Sequence, residues 1–250
     1  MNALKMDGIM RHGPKLLSGQ NSGRESPTYG ASEPHVQAGL SRLLAIVTAF
    51  LAVWVSCAAA SAEPIRLVAL GDSLSAGYQL APDAAFPVKL EKALKARGHD
   101  VTVVNAGVSG DTASAGLARV DWSVPDETDG VILELGANDA LRGVDLDVTQ
   151  SALEDIAERL NQRGIDVLVA GMQAPPNMGA AYARRFNAIF PDVAERHGFV
   201  LYPFFLDGVA ADPALNLDDG MHPTAEGVDV IVTGILPYVE QLIEKIENGD

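Results

Sequence analysis

The sequence predicts an α/β protein, a three-layer α/β/α sandwich built on a five-stranded parallel sheet. Three observations predict it. From residue 65 onward, short runs rich in Val, Ile and Leu recur without the apolar–polar alternation of a half-exposed strand. A helical pattern separates each run from the next. Crossovers between parallel strands are right-handed, so helices cover both faces of the sheet.

The elements follow in order. Residues 65–70 (IRLVAL) form the first strand and lead directly into GDSLSAGY at 71–78. Residues 86–98 place Leu90 and Leu94 four apart on one helix face, and the pattern stops at Gly98. The β-branched run 101–107 (VTVVNAG) is the second strand, and 111–120 is a helix that Asp111 is expected to cap. Residues 130–136 (GVILELG) give the third strand, 147–164 a helix ended by Gly164, and 166–172 the fourth strand. Residues 180–198 are helical, with a bend or break expected at Pro191. Residues 199–205 (FVLYPFF) read as the fifth strand, and 224–248 as a final helix kinked at Pro237. No internal repeat is visible.

The first 62 residues read differently. Residues 41–62 carry Arg42, then an apolar run, then small residues ending Ala60-Ser61-Ala62, the layout of a secretory signal peptide cleaved after Ala62. The alternative is an N-terminal membrane anchor, because 43–62 is long enough to span a bilayer. Residues 1–40 are rich in Gly, Ser and Pro and lack a sustained period, as expected of a disordered tail or an over-long gene start. The organisation expected is therefore a tail (1–40), a signal (41–62) and one domain (63–250), exported to the periplasm or secreted.

The 250 residues carry a net charge of −15, and residues 63–250 hold 13 Lys and Arg against 30 Asp and Glu. That acidity argues against nucleic acid, whose phosphates need a basic face, and against docking on anionic lipid. The single cysteine, Cys57, lies in the signal, so the domain has no thiol, disulfide or cysteine metal ligand. A core built from 188 residues has to hold it together. Its expected partner is a small molecule. No obligate protein partner and no stable membrane insertion after signal cleavage are expected.

In an open parallel sheet, ligands bind beyond the carboxyl ends of the strands. Ser73 stands there after the first strand, though a serine in that place is also a good helix cap. Gly110 follows the second strand, and its N–H can approach a ligand closely. Asn138 follows the third, in GAND (136–139), and its amide can donate to an oxyanion. His222 lies in NLDDGMHPTAEG (216–227), with Asp219 three residues ahead, a spacing that lets a carboxylate meet the imidazole. His99 and His197 sit beside helix ends, where a structural role suffices. Nucleophile, base, base orienter and oxyanion donors make up the inventory of acyl transfer. There is no G-x-S-x-G elbow and no metal-ligand spacing, so no metal and no cofactor are expected.

Four blocks, GDSLSAGY (71–78), SGDT (109–112), GAND (136–139) and DDGMHP (218–223), occur in the order found in the GDSL esterase/lipase family, the SGNH hydrolases. The chain resembles that family across its whole domain. Within it, the chain looks most like the small bacterial periplasmic branch of arylesterases and acyl-CoA thioesterase/lysophospholipases. The resemblance implies a flavodoxin-like sandwich and a serine esterase acting on aryl or acyl esters, acyl thioesters or lysophospholipids. It also implies that Ser73 is the nucleophile, His222 the base, and Asp219 rather than Asp218 the orienter. The Ser73 and Gly110 N–H groups and the Asn138 side chain would form the oxyanion hole. Asp72 is read as the structural cap. Segments 141–146 and 172–182, with Leu141, Pro176 and Met178, are expected to form a shallow acyl groove. The rivals are a carbohydrate O-deacetylase on the same fold and a non-catalytic periplasmic binding protein.

Overall fold

The computed structural model describes residues 63–249, so the expected tail (1–40) and signal (41–62) lie outside the described residues. Five strands form one parallel sheet: β1 (Ile65–Gly71), β2 (Val101–Gly107), β3 (Gly130–Glu134), β4 (Asp166–Ala170) and β5 (Val200–Tyr202), in the order β2-β1-β3-β4-β5. The helices are α1 (Ser73–Ala76), α2 (Phe86–Ala96), α3 (Ala113–Ser123), α4 (Ala137–Arg142), α5 (Leu146–Gln162), α6 (Ala180–His197) and α7 (Ala225–Asn248). α2 packs with α7, while α3 packs with α5 and α5 with α6, which gives the two outer layers of the sandwich.

The apolar runs fail to alternate because both faces of the sheet are covered. Leu67 to Leu70 in β1 and Val131 to Leu133 in β3 are essentially solvent-free. Each buried Leu, Ile or Val among them contributes roughly 1.5–3 kcal/mol by leaving water. The helices supply the opposing surfaces through Leu90 and Leu94 of α2, Ile156 and Leu160 of α5, Phe186 and Phe190 of α6, and Ile235, Val239 and Leu242 of α7. Among the described residues no helix is long and apolar enough to cross a membrane.

Four local expectations change. The cap of α3 is Thr112, whose hydroxyl accepts from Ala115 N; Asp111 instead takes the Arg119 guanidinium at 2.6 Å. The third strand ends at Glu134 rather than Gly136, and GAND opens the short helix α4, with Gly136 at its cap at φ +114°. The helix 180–198 is not broken at Pro191: α6 runs through it to His197, and α7 likewise continues through Pro237 to Asn248. The fifth strand stops at Tyr202 because Pro203 has no N–H for the ladder, and Phe205 N then turns back to Gly171 O.

The register fixes the site. Gly71 at the end of β1 lies opposite Gly107 on β2 and Glu134 on β3. A side chain at Gly107 would collide with the backbone of Ala76, and one at Gly71 would lie 2.5 Å from Glu134 Oε2. The two glycines let α1 settle onto the upper edge of the sheet.

Candidate active site

The chain leaves β1 and turns into α1 within one residue, Asp72. Its Oδ1 accepts from Leu74 N at 2.9 Å, so Asp72 is the N-cap. That frees Ser73, the first residue of the helix, for another role. α1 has only four residues, so what it offers an anion is individual N–H groups rather than a large macrodipole. Among the described residues, no hydrogen bond engages the backbone N–H of Ser73 or of Gly110, which sits at φ +88°.

His222 comes from the other end of the chain. Its loop is tied into a small hairpin: Asn216 and Pro223 form an isolated bridge, Leu217 N donates to His222 O at 2.7 Å, and Gly220 N donates to Leu217 O at 2.8 Å. The Asn216 amide anchors the base of this loop on Val209 O and Asp212 O. Within it, Asp219 Oδ1 accepts the N–H groups of Met221 (2.9 Å) and His222 (3.0 Å), while its Oδ2 lies 2.7 Å from His222 Nδ1. The backbone bonds from His222 and Met221 hold the Asp219 carboxyl down to about 2, so it is an anion at any working pH. Nδ1 facing a carboxylate carries the proton, which leaves Nε2 as an acceptor. The Ser73 Oγ–H donates to it at 2.9 Å. Asp219, not Asp218, is the carboxylate joined to the imidazole. The Tyr78 ring lies against His222, with centroids 4.4 Å apart at 37°.

The third strand delivers Asn138 on α4. Its Nδ2 donates to Asp72 Oδ2 at 2.9 Å, which leaves one amide hydrogen for a ligand. One guanidinium nitrogen of Arg142 donates to Gly110 O at 2.7 Å and reaches Asn138 Oδ1 at 3.4 Å. Beneath the turn, Arg119 is almost fully buried and donates to Asp111, to Gly71 O and Ala106 O (both 2.8 Å), and to Ser123 Oγ. Burial pushes the Asp72 carboxyl up to about 6, against the pull of the Leu74 N–H and the Asn138 amide.

The structure thus brings together Ser73, His222, Asp219, Asp72 and Asn138, and it clips Gly110 to Asn138 through Arg142. Leu141 stands exposed on α4; Pro176 is exposed and Met178 half-buried in a 3-10 turn after β4 (Pro176–Met178), on a separate segment. His99 and His197 face Glu240 and Glu154, consistent with structural roles. Among the described residues no three His, Cys, Asp or Glu side chains cluster as a metal site. Sequence reasoning missed Tyr78, Arg119, Arg142 and Glu134. Of these, Glu134 alone left a signal, a carboxylate inside the apolar run VILEL.

The sequence from 69 to 230 matches the model of the GDSL-like lipase/acylhydrolase family. The chain belongs to this family. It is 41% identical over 186 residues to an arylesterase of Vibrio mimicus, covering 74% of this chain and 90% of that protein. It is 34% identical over 178 residues to the thioesterase 1/protease 1/lysophospholipase L1 of Escherichia coli, covering 71% and 84%. Among solved structures, AlinE4, an SGNH-hydrolase family esterase, shares 44% identity at a TM-score of 0.62, over 73% of this chain and 98% of that one. The family membership and the α/β fold that the motif blocks implied both hold.

Proposed function

We propose that Ser73, His222 and Asp219 are the catalytic triad of this carboxylic ester hydrolase, with the Ser73 N–H, the Gly110 N–H and the Asn138 amide as its oxyanion hole. The observation that carries the reading is the continuous chain Asp219–His222–Ser73, with bonds of 2.7 and 2.9 Å, at the carboxyl edge of the sheet. His222 Nε2 takes the Ser73 proton as Oγ adds to the ester carbonyl. The tetrahedral oxyanion faces the three donors. The intermediate collapses, and the alcohol leaves with the proton from Nε2. Water then attacks the acyl-serine, giving its proton to His222, and the second intermediate collapses to release the acid as Ser73 Oγ takes that proton back from Nε2. Asp219 holds the Nδ1–H tautomer and stabilises the imidazolium in both halves.

The substrates we assign are aryl and acyl carboxylic esters, extending to acyl thioesters and lysophospholipids. Support comes from the relatives' names, and we assign Leu141, Pro176 and Met178 to the apolar surface that takes the acyl chain. The signal pattern at 41–62 supports an exported enzyme. The test is serine labelling with a fluorophosphonate, joined to a hydrolysis panel of short and long acyl esters, acyl-CoA, lysophospholipid and acetylated sugar. Label on Ser73 and loss of turnover in both Ser73→Ala and His222→Ala are expected. Near wild-type turnover in either variant refutes the triad, and a strong preference for acetylated sugar refutes the substrate class.

A further inference from the structure

Glu134 is the strangest residue near the site. It ends β3 and is fully buried. Its Oε2 accepts two hydrogen bonds, from Ser75 Oγ at 2.7 Å and from Asp72 N at 3.2 Å. Its Oε1 is also buried and has no partner among the described residues. Asp72 and Ser75 flank the nucleophile, one residue before it and two after. Glu134 therefore grips the turn from below on both sides of Ser73. Asp72 then carries that grip to the oxyanion amide through the bond from Asn138. β1 gives up its side chain at Gly71 to admit the carboxyl.

Taking Ser73 as the nucleophile, we propose that Glu134 is a positioning residue that holds the nucleophile turn as a neutral carboxylic acid. Asp72 and Glu134 are neighbouring buried carboxyls, and two anions side by side in a dry core repel. Asp72 has a donor on each oxygen, Leu74 N and the Asn138 amide, whereas Glu134 has an oxygen with none. Of the positive groups around the turn among the described residues, Arg119 is taken up by Asp111, Gly71 O, Ala106 O and Ser123, and Arg142 by Gly110 O and Asn138. The negative charge therefore resides on Asp72, and Glu134 keeps its proton on Oε1. Burial and the Asp72 charge both push the Glu134 carboxyl well above its ordinary range, in agreement. A neutral group at this place needs only one well-aimed acceptor. Glutamine supplies it, and leucine leaves the Ser75 hydroxyl and the Asp72 N–H buried and unpaired.

The experiment compares wild type, Glu134→Gln and Glu134→Leu for kcat and KM on an aryl ester and for the rate of fluorophosphonate inactivation, with melting temperature recorded alongside. Glu134→Gln is expected to keep kcat within tenfold of wild type. Glu134→Leu is expected to lose more than tenfold in kcat and in inactivation rate while KM stays within about twofold. A role confined to stability lowers the melting temperature of the leucine variant and leaves these rates per folded molecule unchanged, which overturns the proposal. A glutamine variant more than tenfold slower than wild type also overturns it, because the charge is then in use. If the leucine variant does not fold, the glutamine comparison decides by the same tenfold limit. Wild type that takes no label on Ser73 refutes the nucleophile assignment instead, so the two failures are distinct.

Discussion

A single methyl group placed outside the site, at Gly107, is expected to disable it. Gly107 ends β2 and lies under α1, the helix that begins with Ser73. A Cβ built there would overlap Ala76 N and lie 2.8 Å from Ala76 Cα and 2.9 Å from Asp72 O, all of them backbone atoms. Ordinary contact begins at 3.4 Å and the overlap with Ala76 N is the worst, so α1 and β2 must separate by about 1 Å. β2 is an edge strand, but its seven-residue register with β1 ties it down, so α1 takes up much of the shift. The Ser73–His222 bond, 2.9 Å in the native protein, then approaches the limit of a hydrogen bond. A displacement of about 1 Å costs on the order of 100-fold in rate, so with α1 taking up much of that shift kcat is expected to fall about tenfold or more. Overpacking of this kind costs about 1–3 kcal/mol of stability. Gly107→Ala is assayed by aryl-ester kinetics and by urea unfolding. If kcat stays within threefold of wild type with an unchanged unfolding midpoint, the account of how the sheet seats α1 is wrong.

Three further outcomes are expected. Arg119→Met removes the donor to Gly71 O and Ala106 O and leaves Asp111 without its partner, so urea unfolding is expected to show a loss of about 3–5 kcal/mol; a loss under 1 kcal/mol contradicts this. Asn138→Ala removes a proposed oxyanion donor and is expected to lower kcat by ~10²–10³ with little change in KM; a change confined to KM speaks against its place in the hole. Asp219 has a folded value of about 2, below the ordinary 3.8, so its stabilisation is complete above about pH 4 and is lost as pH falls through 2. The unfolding midpoints of wild type and Asp219→Asn are therefore expected to converge between pH 4 and 2, and a gap that is constant with pH rules this out.

Much of the site was legible because each part carries its own local signal. Ser73, Gly110 and Asn138 each follow an apolar run directly, and Asp219 and His222 lie within one loop at a spacing that a turn can close. Strand existence was equally plain. Boundaries that depend on a neighbour were less so. The fifth strand was read too long because its apolar residues continue past the point where Pro203 leaves the ladder. The cap of α3 was misassigned because Asp111 and Thr112 both suit the place, and only the position of Arg119 on the next turns separates them.

The sequence by itself determined the fold class, the succession of strands and helices along the chain and the set of candidate site residues, because apolar period, turn residues and motif spacing are local properties of the chain. Only the tertiary structure decided how those side chains are aimed. Parallel register places Gly107, Gly71 and Glu134 in one row, drawn from segments more than twenty residues apart. That row lets α1 sit down, buries a carboxyl beneath Ser73, and lets Arg119 and Arg142 tie the surrounding loops. Such contacts depend on which strands lie side by side. Residue spacing along the chain carries no record of that.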